Sequence, residues 1–121
     1  MYELNLLIDV LPKSLNRELR THRFARNRVN KQWDLYILSL VRSKRAMPAT
    51  PLTAAKIRLV RHFYRMLDYD GLVASMKPVV DALVTAGVLK DDSWYTLGAW
   101  DVHQQFRPKS QGPLLEISIR E

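Results

Sequence analysis

Between Leu67 and Asp92 the chain sets five aspartates, Asp68, Asp70, Asp81, Asp91 and Asp92, with Lys77 among them. Asp68 and Asp70 stand at i and i+2, a spacing that in extended backbone points both side chains to one side. Where a strand gives way to a helix, such a pair can converge on one hard cation. Two carboxylates held close repel, which raises the pKa of each and makes a cation welcome. Lys77 and Asp81 are four apart, one turn along one helix face. Asp91 and Asp92 follow a short Val88-Leu89-Lys90 run and can fold back to the same point. Mg²⁺ prefers oxygen ligands, keeps waters, and takes one or two carboxylates together with substrate phosphate. A phosphodiester nuclease needs a cation to stabilise charge on the phosphorane and to lower the pKa of the attacking water. A lysine beside it can stabilise the same charge or the leaving oxygen. Each fragment also has a plain structural reading. Asp-x-Asp pairs cap helices or make Asx turns, one of two adjacent aspartates is ordinary turn chemistry, and Asp81 with Lys77 makes a weak surface ion pair. The ordered set carries more than its parts.

Charge is distributed unevenly around that set. Residues 13–65 hold 14 Lys and Arg against two acids, Glu18 and Asp34, while the whole chain of 121 residues carries +7. A basic block of this size implies a polyanionic partner, most simply nucleic acid, through phosphate neutralisation and counterion release. Arg17, Arg20, Arg23, Arg26, Arg28 and Lys31 can line a DNA path, with Phe24 as a wedge or stacking surface. Lys56, Arg58 and Arg61 flank the strand that leads into Asp68 and are better placed to hold the scissile strand. His22 and His62 lie among arginines and are read as phosphate or solvent contacts. His103 has no evident partner, and Trp33, Trp94 and Trp100 are read as core. Zero cysteines exclude disulfides, thiolate metal sites and a cysteine nucleophile. With no apolar run long enough to span a bilayer and no secretory signal in the opening residues, the expectation is a cytoplasmic chain with no membrane contact.

The elements that must position these residues follow from periodicity. Tyr2–Val10 reads as a strand closed by Leu11-Pro12. Lys13–Lys31 has no clean period and reads as a mostly irregular basic arm. Gln32–Arg45 reads as a helix, with Trp33, Tyr36, Ile37, Leu40 and Val41 on one face and Asn30 as its N-cap. Ala46–Thr53 is a connector. Ala54–Tyr64 alternates as a strand, with Ile57, Leu59 and Phe63 opposite Lys56, Arg58 and His62. Leu67–Asp70 is a turn. Gly71–Ala86 carries a helical stripe of Leu72, Met76, Val79, Val80 and Leu83, closed by Gly87. Pro78 inside it predicts a kink or a fresh start capped by Ser75. Trp94–Phe106 and Leu114–Arg120 read as final strands joined by a Pro108–Pro113 hairpin. The expected fold is one α/β domain, a two-layer sandwich of order β-α-β-α-β-β, with one mixed sheet of about four strands backed by two helices.

The ordered acidic set resembles the RusA family of Holliday junction resolvases. That family's pattern is an Asp-x-Asp followed by Asn-Leu or a similar pair, a lysine, an Asp-Ala-Leu, a glycine and a paired Asp-Asp. It stands here as Asp68-Tyr69-Asp70-Gly71-Leu72, Lys77, Asp81-Ala82-Leu83, Ala86-Gly87 and Asp91-Asp92. The opening strand followed by Leu11-Pro12-Lys13-Ser14-Leu15-Asn16-Arg17 is also similar. The resemblance spans nearly the whole chain, with the motif confined to residues 67–92. It implies a magnesium-dependent endonuclease, with Mn²⁺ as substitute, acting in DNA recombination and repair. As a homodimer it would cut four-way junctions and related branched DNA by paired symmetric nicks. It further implies Asp68, Asp70 and Asp92 as metal-binding carboxylates and Lys77 as the essential lysine. Asp91 is the alternative to Asp92, and Asp81 ranks below these three as a ligand. Two equivalent sites suit a near-symmetric substrate. The chain departs from the pattern at Gly71, where asparagine is usual, at Leu67, where a basic residue is common, and in an Asp70-to-Lys77 gap three residues longer than the shortest family form. A non-catalytic DNA-binding protein of the same fold is the rival reading, and an RNA-processing or generic basic module with turn aspartates is a third.

Overall fold

A computed structural model describes residues 1–12 and 23–121, and over residues 23–29 it describes the backbone alone. Strand β1, Glu3–Ile8, alternates strictly and buries Leu4, Leu6 and Ile8. Strand β2, Lys56–Phe63, buries Ile57 and Leu59 on the same side. Strand β3 spans Asp101–Phe106 and β4 spans Leu114–Arg120. Among the described residues they form one mixed sheet of order β1-β4-β2-β3. β4 is antiparallel to both neighbours, with Ile117 opposite Leu6 on one side and Leu59 on the other. β3 runs parallel to β2, with Val102 opposite Leu59. The fold class is the expected one, a mixed α/β domain with helices against one sheet face.

The order of the last two strands is not the expected hairpin. β4 enters between β1 and β2, and β3 lies at the far edge. β4 pairs on both sides, with β1 and β2, whereas β3 pairs with β2 alone and is mostly exposed, burying only Val102, which suits an edge. The Pro108–Pro113 segment is therefore a crossover containing a 3₁₀ turn at Lys109–Gln111.

Helix α1 runs from Arg23 to Ser43, so the arm expected to be irregular up to Lys31 is helical from Arg23 and Asn30 lies inside the helix rather than at its cap. Trp33, Ile37 and Val41 form its buried stripe. Once that half is nucleated by packing, a run of arginine, alanine and asparagine extends it at small cost. The expected Gly71–Ala86 helix is two helices, α2 (Tyr69–Ser75) and α3 (Lys77–Thr85), broken at Met76. Leu72, Met76, Val79, Val80 and Leu83 are all buried as expected. Met76, not Ser75, occupies the N-cap of α3, and Pro78 falls in its first turn. Ser75 is buried and donates its hydroxyl to Leu72 O at 2.7 Å. Gly87, at φ 89°, closes α3 in the left-handed conformation that glycine adopts freely. Trp94–Leu97 is a short helix, α4, rather than the start of a strand. Gly98, at φ 61°, ends it before β3 begins at Asp101. Among the described residues no helix is long and apolar enough to cross a membrane.

Candidate active site around Lys77 and Asp92

α1 and α3 pack together over the sheet and set Lys77 at the start of α3. Val88 and Leu89 are buried, and Leu52 and Leu89 make a bridge that turns the chain after α3 back along the molecule. Leu52 N donates to Val88 O, and Lys90 N donates to Leu52 O, both at 2.9 Å. This return brings Asp92 against Lys77, 15 residues apart in sequence, and Lys77 Nζ donates to Asp92 Oδ2. The same ammonium lies 3.0 Å from Asp81 Oδ1. Asp92 first, then Asp81, hold the Lys77 ammonium above its ordinary pKa and outweigh the partial burial that acts against it. Lys77 is a cation held by two carboxylates, both of which the sequence pattern had grouped with it.

Asp91 has a separate role. Its Oδ1 accepts from Thr96 Oγ1 at 2.5 Å, from Ser93 Oγ at 2.7 Å and from Ser93 N at 3.0 Å. The Thr96 hydroxyl, then the two donors of Ser93, hold its carboxyl at about 2, below the ordinary 3.8. Of the adjacent pair, Asp91 builds the turn into α4 and Asp92 meets the lysine.

Asp68 caps α2. Its backbone is extended and its Oδ1 accepts from Gly71 N at 3.0 Å. A Cβ on residue 71 would stand 2.5 Å from that oxygen, so a larger residue there would shift the Asp68 side chain and disturb the cap. Asp70 is exposed in the first turn of α2. The segment before them is fixed by Gln104 of β3, whose Oε1 accepts from Leu67 N at 3.0 Å while its Nε2 donates to Leu67 O at 2.7 Å. Gln104 escaped the sequence reading. Its only trace there is inward parity in β3, where a polar residue demands a partner.

Among the described residues no three histidine or carboxylate groups come close enough to hold one ion. The donors are nonetheless all hard oxygens. Asp68 stands at the N-cap and Asp70 in the first turn of α2, both exposed, so Asp70 is helical rather than in the extended backbone from which a shared side was expected. Asp92 does not join them and is engaged by Lys77.

Of the expected DNA contacts, Arg17 and Arg20, with His22, lie outside the described residues, as do the side chains of Arg23, Phe24, Arg26 and Arg28. Lys31, Lys56 and Arg58 are exposed, and Arg58 Nη1 lies 3.8 Å from Asp101 Oδ2. Arg61 does not fit the expectation. It is 6% exposed, donates to Arg65 O at 2.6 Å and lies over the Phe63 ring at 5.0 Å. Burial pushes its guanidinium pKa down. Strand parity is the reason, because residue 61 falls on the same side as Ile57 and Leu59. His62, expected to meet phosphate or solvent, lies 3.1 Å from Glu116 Oε1, and His103 lies 2.5 Å from Asp101 Oδ1. Trp33 is core and Trp100 packs against it, but Trp94 is 73% exposed. The chain matches no family model and no curated protein sequence.

Proposed function

We propose that the chain is a divalent-metal-dependent endonuclease of the RusA type, working in the cytoplasm on four-way junctions and related branched DNA. The observation that carries this reading is the meeting of Lys77 with Asp92. The resembled motif contains both residues, in separate roles, and in the fold they meet across 15 residues of sequence. Asp68 and Asp70 would hold Mg²⁺, or Mn²⁺ in its place. The ion would neutralise charge on the scissile phosphate and lower the pKa of a bound water. Lys77, kept protonated by its two carboxylates, donates to an entering phosphate oxygen and stabilises the charge that grows there. In doing so it lets go of Asp92, whose carboxylate then faces the site with open lone pairs. Exposed Lys56 and Arg58 supply backbone contacts to the DNA. Paired nicks across a near-symmetric junction call for two copies of the site, hence a two-fold dimer.

One observation favours a second reading, a DNA-binding protein of this fold without catalysis. Asp68 spends a carboxylate oxygen on capping α2. The test separates the two. The wild type and its Asp70→Asn variant are incubated with an end-labelled four-way junction or a linear duplex of matching arms, in Mg²⁺, Mn²⁺ or EDTA. The wild type is expected to nick the junction only with metal, and the variant to bind it without cutting. Binding by both and cutting by neither, in either metal, leaves the binding reading.

A further inference from the structure

The short helix α4, two residues beyond Asp92, turns two aromatic side chains outward, Trp94 at 73% exposure and Tyr95 at 93%. Burying large rings is ordinarily favourable, so a rigid element that presents two of them to water needs a reason. α4 is well anchored. Thr96 and Leu97 are buried, Ala55 N donates to Thr96 O at 2.9 Å, and Asp91 takes three hydrogen bonds from Ser93 and Thr96. The rings line one open cleft of about 680 Å³ with Lys56 and Arg120. Glu121 lines it too and accepts from Tyr2 N at 3.2 Å. Two aromatic faces beside two cations match an unpaired nucleotide, with a base for the rings and a phosphate for the cations. Lys56 and Arg120 at the cleft favour an anionic ligand over an uncharged apolar partner.

We infer that Trp94 and Tyr95, with Lys56 and Arg120, form a stacking site for unpaired bases of a DNA strand. The inference rests on the nucleic-acid part of the proposed function and not on cleavage. In a branched substrate, the site would hold a base freed at the branch point close to the Lys77–Asp92 pair.

The test follows intrinsic tryptophan fluorescence of the full chain in EDTA, which removes cleavage, during titration with a short oligothymidylate, an oligouridylate or a linear duplex. Trp33 is buried and Trp100 partly so, which leaves Trp94 as the exposed reporter. Oligothymidylate is expected to quench the signal. Read in the variants by the anisotropy of a dye-labelled oligothymidylate, which does not depend on the tryptophan, Trp94→Ala should weaken that binding about tenfold, as loss of one stacked base does, and Trp94→Phe should restore most of it. Tyr95→Ala should weaken it in the same direction. Because both side chains are exposed, circular dichroism and melting temperature should match the wild type. Unchanged oligothymidylate affinity in Trp94→Ala overturns the site. So does tighter binding of oligouridylate, or a Trp94→Ala effect confined to self-association in sedimentation. Junction cutting by a Trp94→Ala protein with unaltered single-strand affinity would sink this inference and spare the nuclease. Stacking without any cutting would do the reverse.

Discussion

At the residue scale, the two adjacent aspartates divide their work according to which donors surround them. Asp91 is ringed by hydroxyls and an N–H, and its carboxyl is held at about 2. A folded-state pKa below the unfolded one adds stability above the unfolded value, and that stability is lost as pH falls through the folded value. For Asp91 the window runs from about 3.8 down to about 2. Asp91→Asn should therefore melt below the wild type at neutral pH, with the gap closing as the buffer is taken from about pH 4 toward pH 2. Melting curves across that range check it, and a gap of constant size would remove the charge from the account. Lys77 has the opposite sign. Its raised pKa keeps it a cation through neutral pH. Lys77→Met should retain junction binding while cutting falls by roughly a hundredfold, the usual loss when a group that stabilises transition-state charge is removed. A gel assay that separates bound from cleaved junction reads both.

At the element scale, the break between α2 and α3 decides where Lys77 points. Met76 N donates to Val73 O at 3.1 Å, and Val79 N and Val80 N donate to Met76 O, so one helix hands over to the next at that residue. Pro78 enters at the first turn of α3, where its missing N–H has no intrahelical acceptor to lose. Pro78→Ala should then change unfolding free energy by less than about 1 kcal/mol, against roughly 3 kcal/mol for a proline inside a continuous helix. Urea denaturation measures the difference, and a gain near the larger figure would mean that the proline strains the break. Beyond the break, Lys77 meets Asp92 and Asp81.

At the scale of the whole molecule, the last strand holds the sheet together. β4 bonds β1 on one side and β2 on the other, so among the described residues the N-terminal strand reaches the rest of the sheet only through it. Ile117 is fully buried at the centre, opposite Leu6 and Leu59. Ile117→Ala should cost about 2–5 kcal/mol in chemical denaturation, and β1 and β2 should lose hydrogen-exchange protection together. Loss of protection in β1 alone would mean that the sheet is not one cooperative unit.

What the sequence determined by itself were the properties carried by local period and local chemistry. The alternation in β1, β2 and β4, the buried stripe of α1 and of the Leu72–Leu83 run, the α/β class and the glycine stop at Gly87 were all readable, because each depends on neighbours within a few residues. The composition of the candidate site was readable in the same way, as one lysine among spaced aspartates. Tertiary structure decided what depends on partners far along the chain. It placed β4 inside the sheet between β1 and β2, a pairing of residues far apart in the chain that local periodicity does not encode. It turned Arg61 inward by strand parity and exposed Trp94 by ending the Asp91 turn in a helix. It also selected Asp92 over Asp91 as the partner of Lys77, because only the return of the chain past Leu52 determines which carboxylate reaches the ammonium.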